Sequence, residues 1–458
     1  MMTSRYWTRR DFLQCALATA AGACSRPAAL GLLAGAQAAA VEAAPKDYRA
    51  LVCIFLAGGN DGFNVLVPTD DARYQIYKDA RSNLALPKEQ LLGLAASTPD
   101  LSYAVHDQAD GLQSMYNNGR LAFVANMGTL LQPTTKRDYE SGTNLPPQLF
   151  SHNDQSDQMM SSQLDALQRI GWGGRIADLM SNLNGAKALP LGISVAGNNL
   201  FQVGNTAVPY YLGPWGVDRF SITSGGEQHP RTRAFKKMLG LALTEGRLLE
   251  RELAKSVQGT MNLSETLIDA LENSSIGSGI WPGSYLAQQL QMVARMISVR
   301  ETFGMSRQVF YVVHGGYDTH DNQVENHGNL IAELSEAIEA FHAALDELGV
   351  GNAVTSFTLS DFGRTLTSNG DGTDHSWGNV QLVAGGSVAG GNVYGAFPNQ
   401  TLDGPDDAGY GRLIPTVSVE QYGATLAAWF GAGGDELQTL FPHLNRFPTA
   451  DLGFMLSM

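Results

Sequence analysis

Cysteine is nearly missing from this chain. Of 458 residues only three are Cys, and two of them, Cys15 and Cys24, fall among the first 38. What remains is Cys53, inside an apolar run, so a chain shortened by those residues has neither an intramolecular disulfide nor a thiolate metal site, since each needs a partner. Cys53 reads as a small buried hydrophobe. Charge is sparse too, at 16% of residues, and the net is −14. Removing residues 1–38 takes away four Arg and one Asp and leaves about −17. That balance argues against a general nucleic-acid or anionic-membrane binder. After the leader there is no run of about 20 apolar residues, which excludes a transmembrane segment from the mature chain. Neither GxGxxG nor GK[ST] occurs as a phosphate cradle, and no repeat or heptad is present.

What the chain has in quantity is Gly, 51 residues, which suits many tight turns in a large α/β core. The N-terminus carries Arg9-Arg10-Asp11-Phe12-Leu13, then an Ala-rich stretch, then Ala36-Gln37-Ala38. This order of parts reads as a twin-arginine signal peptide over residues 1–38, with a linker over 39–47. The expected destination is the periplasm or the exterior, by way of the Tat translocase. A chance Arg-Arg before an amphipathic helix is the plainer alternative.

The rest is organised around Gln308 to His327. An apolar run, Val309–Val313, ends in His314 and is broken by Gly315 and Gly316; Asp318, His320, Asp321 and His327 follow. A short β-branched run of this kind predicts a strand buried on both faces. Leu330, Leu334, Ile338, Phe341, Leu345 and Leu348 then predict a helix, with Gly349 as its cap. The polar cluster thus falls at the carboxyl end of a strand, where open α/β sheets place ligands.

Other runs repeat the arrangement. Ala50–Leu56 precedes Gly58-Gly59-Asn60-Asp61, either an ordinary Asn-Asp-Gly turn or a device that sets Asp61 at a strand end. Arg120–Met127 and Pro190–Ala196 read as strands. Ala353–Leu359 leads into Ser360-Asp361-Phe362-Gly363-Arg364, and Val380–Ala384 follows a loop containing Asp374 and His375. After Pro146 and Pro147, Ser151 and His152 stand at a predicted helix N-terminus, where anions are favoured and where Ser151 is otherwise a plain cap. Residues 198–283 change in character and read as an inserted helical cap within a single domain over 48–458. Carboxylates and imidazoles from several strand ends suit Zn²⁺, Mn²⁺ or Mg²⁺ and metal-assisted hydrolysis.

The leader, FLAGGNDGFN, LFSHNDQ, GWGGR, GGYDTH, DFGRT and GTDHSWG, in this order, resemble the bacterial Tat-exported family called domain of unknown function 1501. That family resembles the alkaline phosphatase and sulfatase superfamily. The resemblance implies a three-layer α/β/α sandwich around a mostly parallel sheet, with one or two divalent ions or, in a degenerate member, none. It implies Asp61, Asp318, His320, Asp361 and His375 as ligands. Two departures stand out: Phe362 replaces the His expected beside Asp361, and the Asp318/His320 pair is closely spaced. No motif marks the nucleophile; Ser151 is the candidate and Thr143 the reserve. His152 joins Ser151 as a catalytic candidate, and Arg364 is expected to grip the anionic oxygens of a small phosphate or sulfate ester, its plain alternative being a surface ion pair. The competing expectation is a binding or cell-envelope assembly protein with an unknown envelope partner.

Overall fold

The most apolar runs of the sequence become the centre of one large sheet. The computed structural model describes residues 47–95, 101–164, 169–185, 189–218, 220–223, 225–277 and 279–456. The leader, with Arg9, Arg10 and the expected cleavage site, lies outside them. Nine strands form the main sheet: β1 (Arg49–Ala57), β2 (Leu121–Gly128), β3 (Gly192–Ser194), β4 (Tyr210–Tyr211), β5 (Arg307–Gly315), β6 (Val354–Ser360), β7 (Asn379–Gly385), β8 (Val393–Tyr394) and β9 (Val417–Ser418). Their order is β8-β2-β7-β6-β1-β5-β3-β4, with β9 also on β2. All pairings are parallel except those of β7, which runs antiparallel to both β2 and β6. A three-stranded antiparallel sheet, Leu66–Pro68, Leu92–Gly93 and Tyr103–Val105, stands apart.

β1 is flanked by β5 and β6 along its length, Cys53 opposite Tyr311 on one side and Phe357 on the other. Such a central strand must be apolar on both faces. Leu51, Cys53 and Phe55 enter a core with Trp172 and Ile176 of helix α3 (Trp172–Met180) and with Tyr422 and Leu426 of helix α6 (Val419–Phe430). Helices α4 (Tyr285–Ser298) and α5 (Gln323–Glu347) pack on each other as the second helical layer. Two more helices, α1 (Asp71–Arg81) and α2 (His152–Ser161), bring polar residues to the site. The expected α/β/α sandwich is therefore present. Cys53 is fully buried and free, and burial raises its thiol well above the usual range.

The helix after the central strand begins seven residues before its first periodic Leu, because its opening turns are anchored by buried polar groups, Gln323 and His327, instead of apolar ones. Residues 218–269 form a compact unit of their own inside the expected insertion. The sequence predicts one helix through Phe235 and Leu253; the structure has two, Pro230–Glu245 and a second beginning at Leu248, since Gly246 adopts extended backbone. Leu239, Ala254 and Met261 form the interior of that unit. Among the described residues no helix is long and apolar enough to cross a membrane.

Candidate functional site

The reversed strand β7 makes the site possible. Because β7 enters the sheet from the rim where β1, β5 and β6 end, the loop before it lies on that rim. Residues 363–365 pair with 374–377 as an irregular hairpin, Arg364 bridging His375 across it. At the neighbouring β1 end, Gly58 has φ +116°, and a Cβ there would lie 2.4 Å from the Asp318 nitrogen. Only glycine lets the two turns touch, which fixes the position of Asp318.

Three imidazoles converge on Asp318. Its Oδ1 lies 3.4 Å from His152 Nε2, 3.0 Å from His320 Nε2 and 3.3 Å from His375 Nε2. The Nε2 atoms of His320 and His375 are 3.1 Å apart. His152, Asp318 and His375 each offer an atom within 4.8 Å of the others. On the far side of each ring an acceptor waits. Asp361 Oδ2 is 2.6 Å from His152 Nδ1, the Phe150 carbonyl is 2.8 Å from His375 Nδ1, and Asp374 Oδ1 is 3.4 Å from His320 Nδ1. A carbonyl can only accept, so the His375 proton sits on Nδ1 and its Nε2 is an acceptor. His320 Nε2, set between His375 Nε2 and Asp318 Oδ1, is then the donor to both. His375 Nε2 and Asp318 Oδ1, two acceptors 3.3 Å apart, repel unless a proton or a metal cation lies beside them. His152 Nε2 is also buried with no hydrogen-bond partner. Burial, aided by His152 and Arg364 and opposed by the Phe150 carbonyl, holds the His375 imidazole below its ordinary range, which favours the neutral ring a metal requires. Although partial burial opposes it, Arg364 and the imidazoles hold the Asp318 carboxyl below the usual carboxylate range.

The remaining expected residues are placed as follows. Asp361 supports His152 and accepts a backbone proton from Gly58 at 3.3 Å. Phe362 is buried against the rings of His152 and His375, each centroid 4.7 Å away. His152, arriving from another helix, is thus the imidazole next to Asp361 that position 362 lacks. Asp61 is not brought into the cluster: it is fully buried and paired with Arg81 of α1, a fully buried guanidinium. A carboxylate neutralised by a fixed cation has no need of a second ion. Arg364 also departs from expectation, since it is wholly buried and its donors go to Asp318 Oδ1, the Gly58 carbonyl and Thr373. It holds Asp318 and does not present a free fork to a substrate. Ser151 caps α2 without a side-chain cap bond and donates to Asp154 Oδ2 at 2.6 Å; Thr143 shares a hydrogen bond with Ser141. Sequence reasoning did not place His152 beside Asp318 and missed the places of Arg81, Asp374 and Gln323. A His at the first turn of a helix, after Pro-Pro, was the available signal for the first.

A cavity of about 490 Å³ opens beside Asp318 and His320 and is lined also by Gly316, Asp321, Asn329 and Leu330. It carries no Lys or Arg among its lining residues.

Fold and rim together define an α/β/α protein with three histidines gathered around one aspartate at the carboxyl ends of its strands. The chain belongs to the family described as "Protein of unknown function (DUF1501)", which matches residues 48–427. Comparison with curated proteins gave no match. Among solved structures, the chain is similar to the soluble domain of lipooligosaccharide phosphoethanolamine transferase A from Neisseria meningitidis, at 8% identity and TM-score 0.33, covering 85% of this chain and 90% of that one. It is similar also to the C-terminal periplasmic domain of EcEptC from Escherichia coli in complex with Zn (8%, TM-score 0.30, 75% and 74% covered). A third is the PsFucS1 sulfatase from Pseudoalteromonas sp. (11%, TM-score 0.31, 95% and 75% covered).

Proposed function

We propose that this protein is an exported hydrolase of phosphate or sulfate esters that works with one divalent ion held by His152, His320, His375 and Asp318. The convergence of three Nε2 atoms on Asp318 Oδ1 carries the reading. An imidazole-rich donor set favours Zn²⁺ over Mg²⁺ or Mn²⁺, which prefer oxygen. One ion and not two follows from Arg81, whose guanidinium already balances Asp61. When bound, the ion would supply Lewis-acid polarisation of a non-bridging ester oxygen.

The chain's own residues do the rest. Asp361, the Phe150 carbonyl and Asp374 keep the Nδ1 protons in place and so keep each Nε2 available. Arg364 orients Asp318. The cavity beside His320 offers room for the alcohol part of the ester, and its lack of basic residues leaves the anionic head to the ion. Export through the Tat translocase to the periplasm belongs to the same proposal.

A second reading, a binding or envelope-assembly protein on this fold, is favoured by the engagement of Ser151 with Asp154 and of Arg364 with internal partners. The test is direct. Metal analysis of purified protein is expected to find about one ion per chain, by the coordination argument above. His152→Ala and His375→Ala should each lower occupancy, while His229→Ala should not. Metal-loaded protein should then cleave members of an aryl phosphate and aryl sulfate panel. Ion bound without turnover selects the second reading, and no ion after reconstitution removes the first.

A further inference from the structure

The metal cluster is connected to the buried Asp61–Arg81 pair by a continuous run of hydrogen bonds, and Gln323 is its centre. Gln323 opens α5 and is fully buried. Its Nε2 donates to Asp61 Oδ2, the same oxygen that Arg81 engages. Its Oε1 accepts from Thr373 Oγ1 at 2.5 Å and from Thr319 Oγ1 at 3.1 Å. Thr373 Oγ1 in turn accepts from Arg364 Nε at 3.1 Å, and Thr373 O accepts from Arg364 Nη2. Arg364 Nη1 then reaches Asp318 Oδ1 at 2.8 Å.

The direction of donation is consistent along the run. Arg364 can only donate, so Thr373 must pass its single hydroxyl proton to Gln323, and Thr319 does likewise. A carboxamide with two hydroxyl protons at its oxygen and a carboxylate at its nitrogen cannot flip without losing all three bonds. Two of the three donor directions of the Arg364 fork are thereby fixed at Thr373, and the third is aimed at the carboxylate oxygen that the imidazoles face. Asp61 Oδ1 is left without a partner at one end, but every polar atom of Gln323 and Thr373 in the run is engaged, and losing Gln323 leaves several others unpaired.

We infer that Gln323 is a positioning residue for the metal site: through Thr373 and Arg364 it sets where Asp318 Oδ1 stands among the three imidazoles. The inference rests on the metal reading given above. Its probe is Co²⁺ titrated into the metal-free full chain, with affinity and visible absorption both read, since the ligand-field bands report the geometry of the donor set. Gln323→Met keeps the volume and removes the three bonds. It should weaken Co²⁺ binding roughly ten- to a hundredfold, the range for second-shell losses, and alter the band pattern. Gln202→Met serves as the control, because Gln202 is equally buried and bonds only to Asn199 and to carbonyls of β3 and β5. It should lower thermal stability while leaving affinity and spectrum as in the parent. A Gln323→Met protein that matches the parent in both affinity and spectrum overturns the inference. A Gln202→Met protein that loses affinity to the same extent also overturns it, since the effect would then be general loosening. A parent that takes up no Co²⁺ overturns the metal reading itself, and the two failures are thus told apart.

Discussion

At the scale of single residues, the ring nitrogens of the buried histidines decide much of the behaviour. His342 is fully buried on α5, with Nε2 2.5 Å from Ser356 Oγ, and burial lowers its pKa to about 3. The folded value is below the unfolded one of about 6.5, so as pH falls the unfolded chain takes up a proton that the folded chain refuses. The stability contributed by neutral His342 is therefore complete above pH 6.5 and is lost as pH falls toward 3. His327, also near 3 because of burial, acts in the same sense. Buried Glu420 acts oppositely, its carboxyl pushed up to about 7 by desolvation against the pull of His443. Its ionisation costs stability as pH rises from about 4.5 toward 7. His342→Gln should remove one proton from the linkage and flatten the acid slope by at most about 1.4 kcal/mol per pH unit. Urea melts at pH 7, 6, 5 and 4 check this; a slope equal to the parent's would show that His342 is not the group being titrated. None of this was legible in the sequence, where His342 is one more polar residue on a helix and its burial depends on α4 and the sheet.

Elements were more legible than their directions. β1, β2 and β5 coincide with apolar runs, as strands buried on both faces usually do, whereas β6 is wholly buried with Thr355, Ser356, Thr358 and Ser360 among its seven residues. The order of strands and the reversal of β7 leave no trace in composition, since a short buried strand reads the same in either orientation. The rim position of Asp318, His320, Asp361 and His375 was nevertheless deducible, since each follows or precedes a strand. The approach of His152 was not, because it depends on where α2 lies and nothing local encodes that. Arg81 was likewise hidden: it ends a helix rich in polar residues, and only the packed structure reveals that it meets Asp61. The Gly58 turn gives a prediction at this scale. Gly58→Ala places a Cβ against the Asp318 backbone at a φ that side chains avoid. It should destabilise the fold by roughly 1–3 kcal/mol and weaken metal binding at the same time. A denaturant melt paired with a metal titration tests both, and unchanged metal affinity would mean that the β1 turn does not position Asp318.

For the whole molecule, a ligand that binds only the folded state raises its stability by mass action. Zn²⁺ at a hundred times its dissociation constant should add about 2.7 kcal/mol, and a chelator should take it away. Denaturant midpoints with and without Zn²⁺ measure the difference; equal midpoints would mean that the ion does not prefer the folded chain. The three imidazoles and Asp318 also come from stretches of chain separated by roughly 170 and 60 residues. In polymer terms, an ion gripping them is a reversible cross-link that closes two long loops at one knot. Such a knot cannot be tied in an unfolded chain, where the ends of loops that long seldom meet. Parting the hairpin before β7 from the start of α2 would untie it. Loading would thus be a readout of completed folding, and opening of the rim would release the ion.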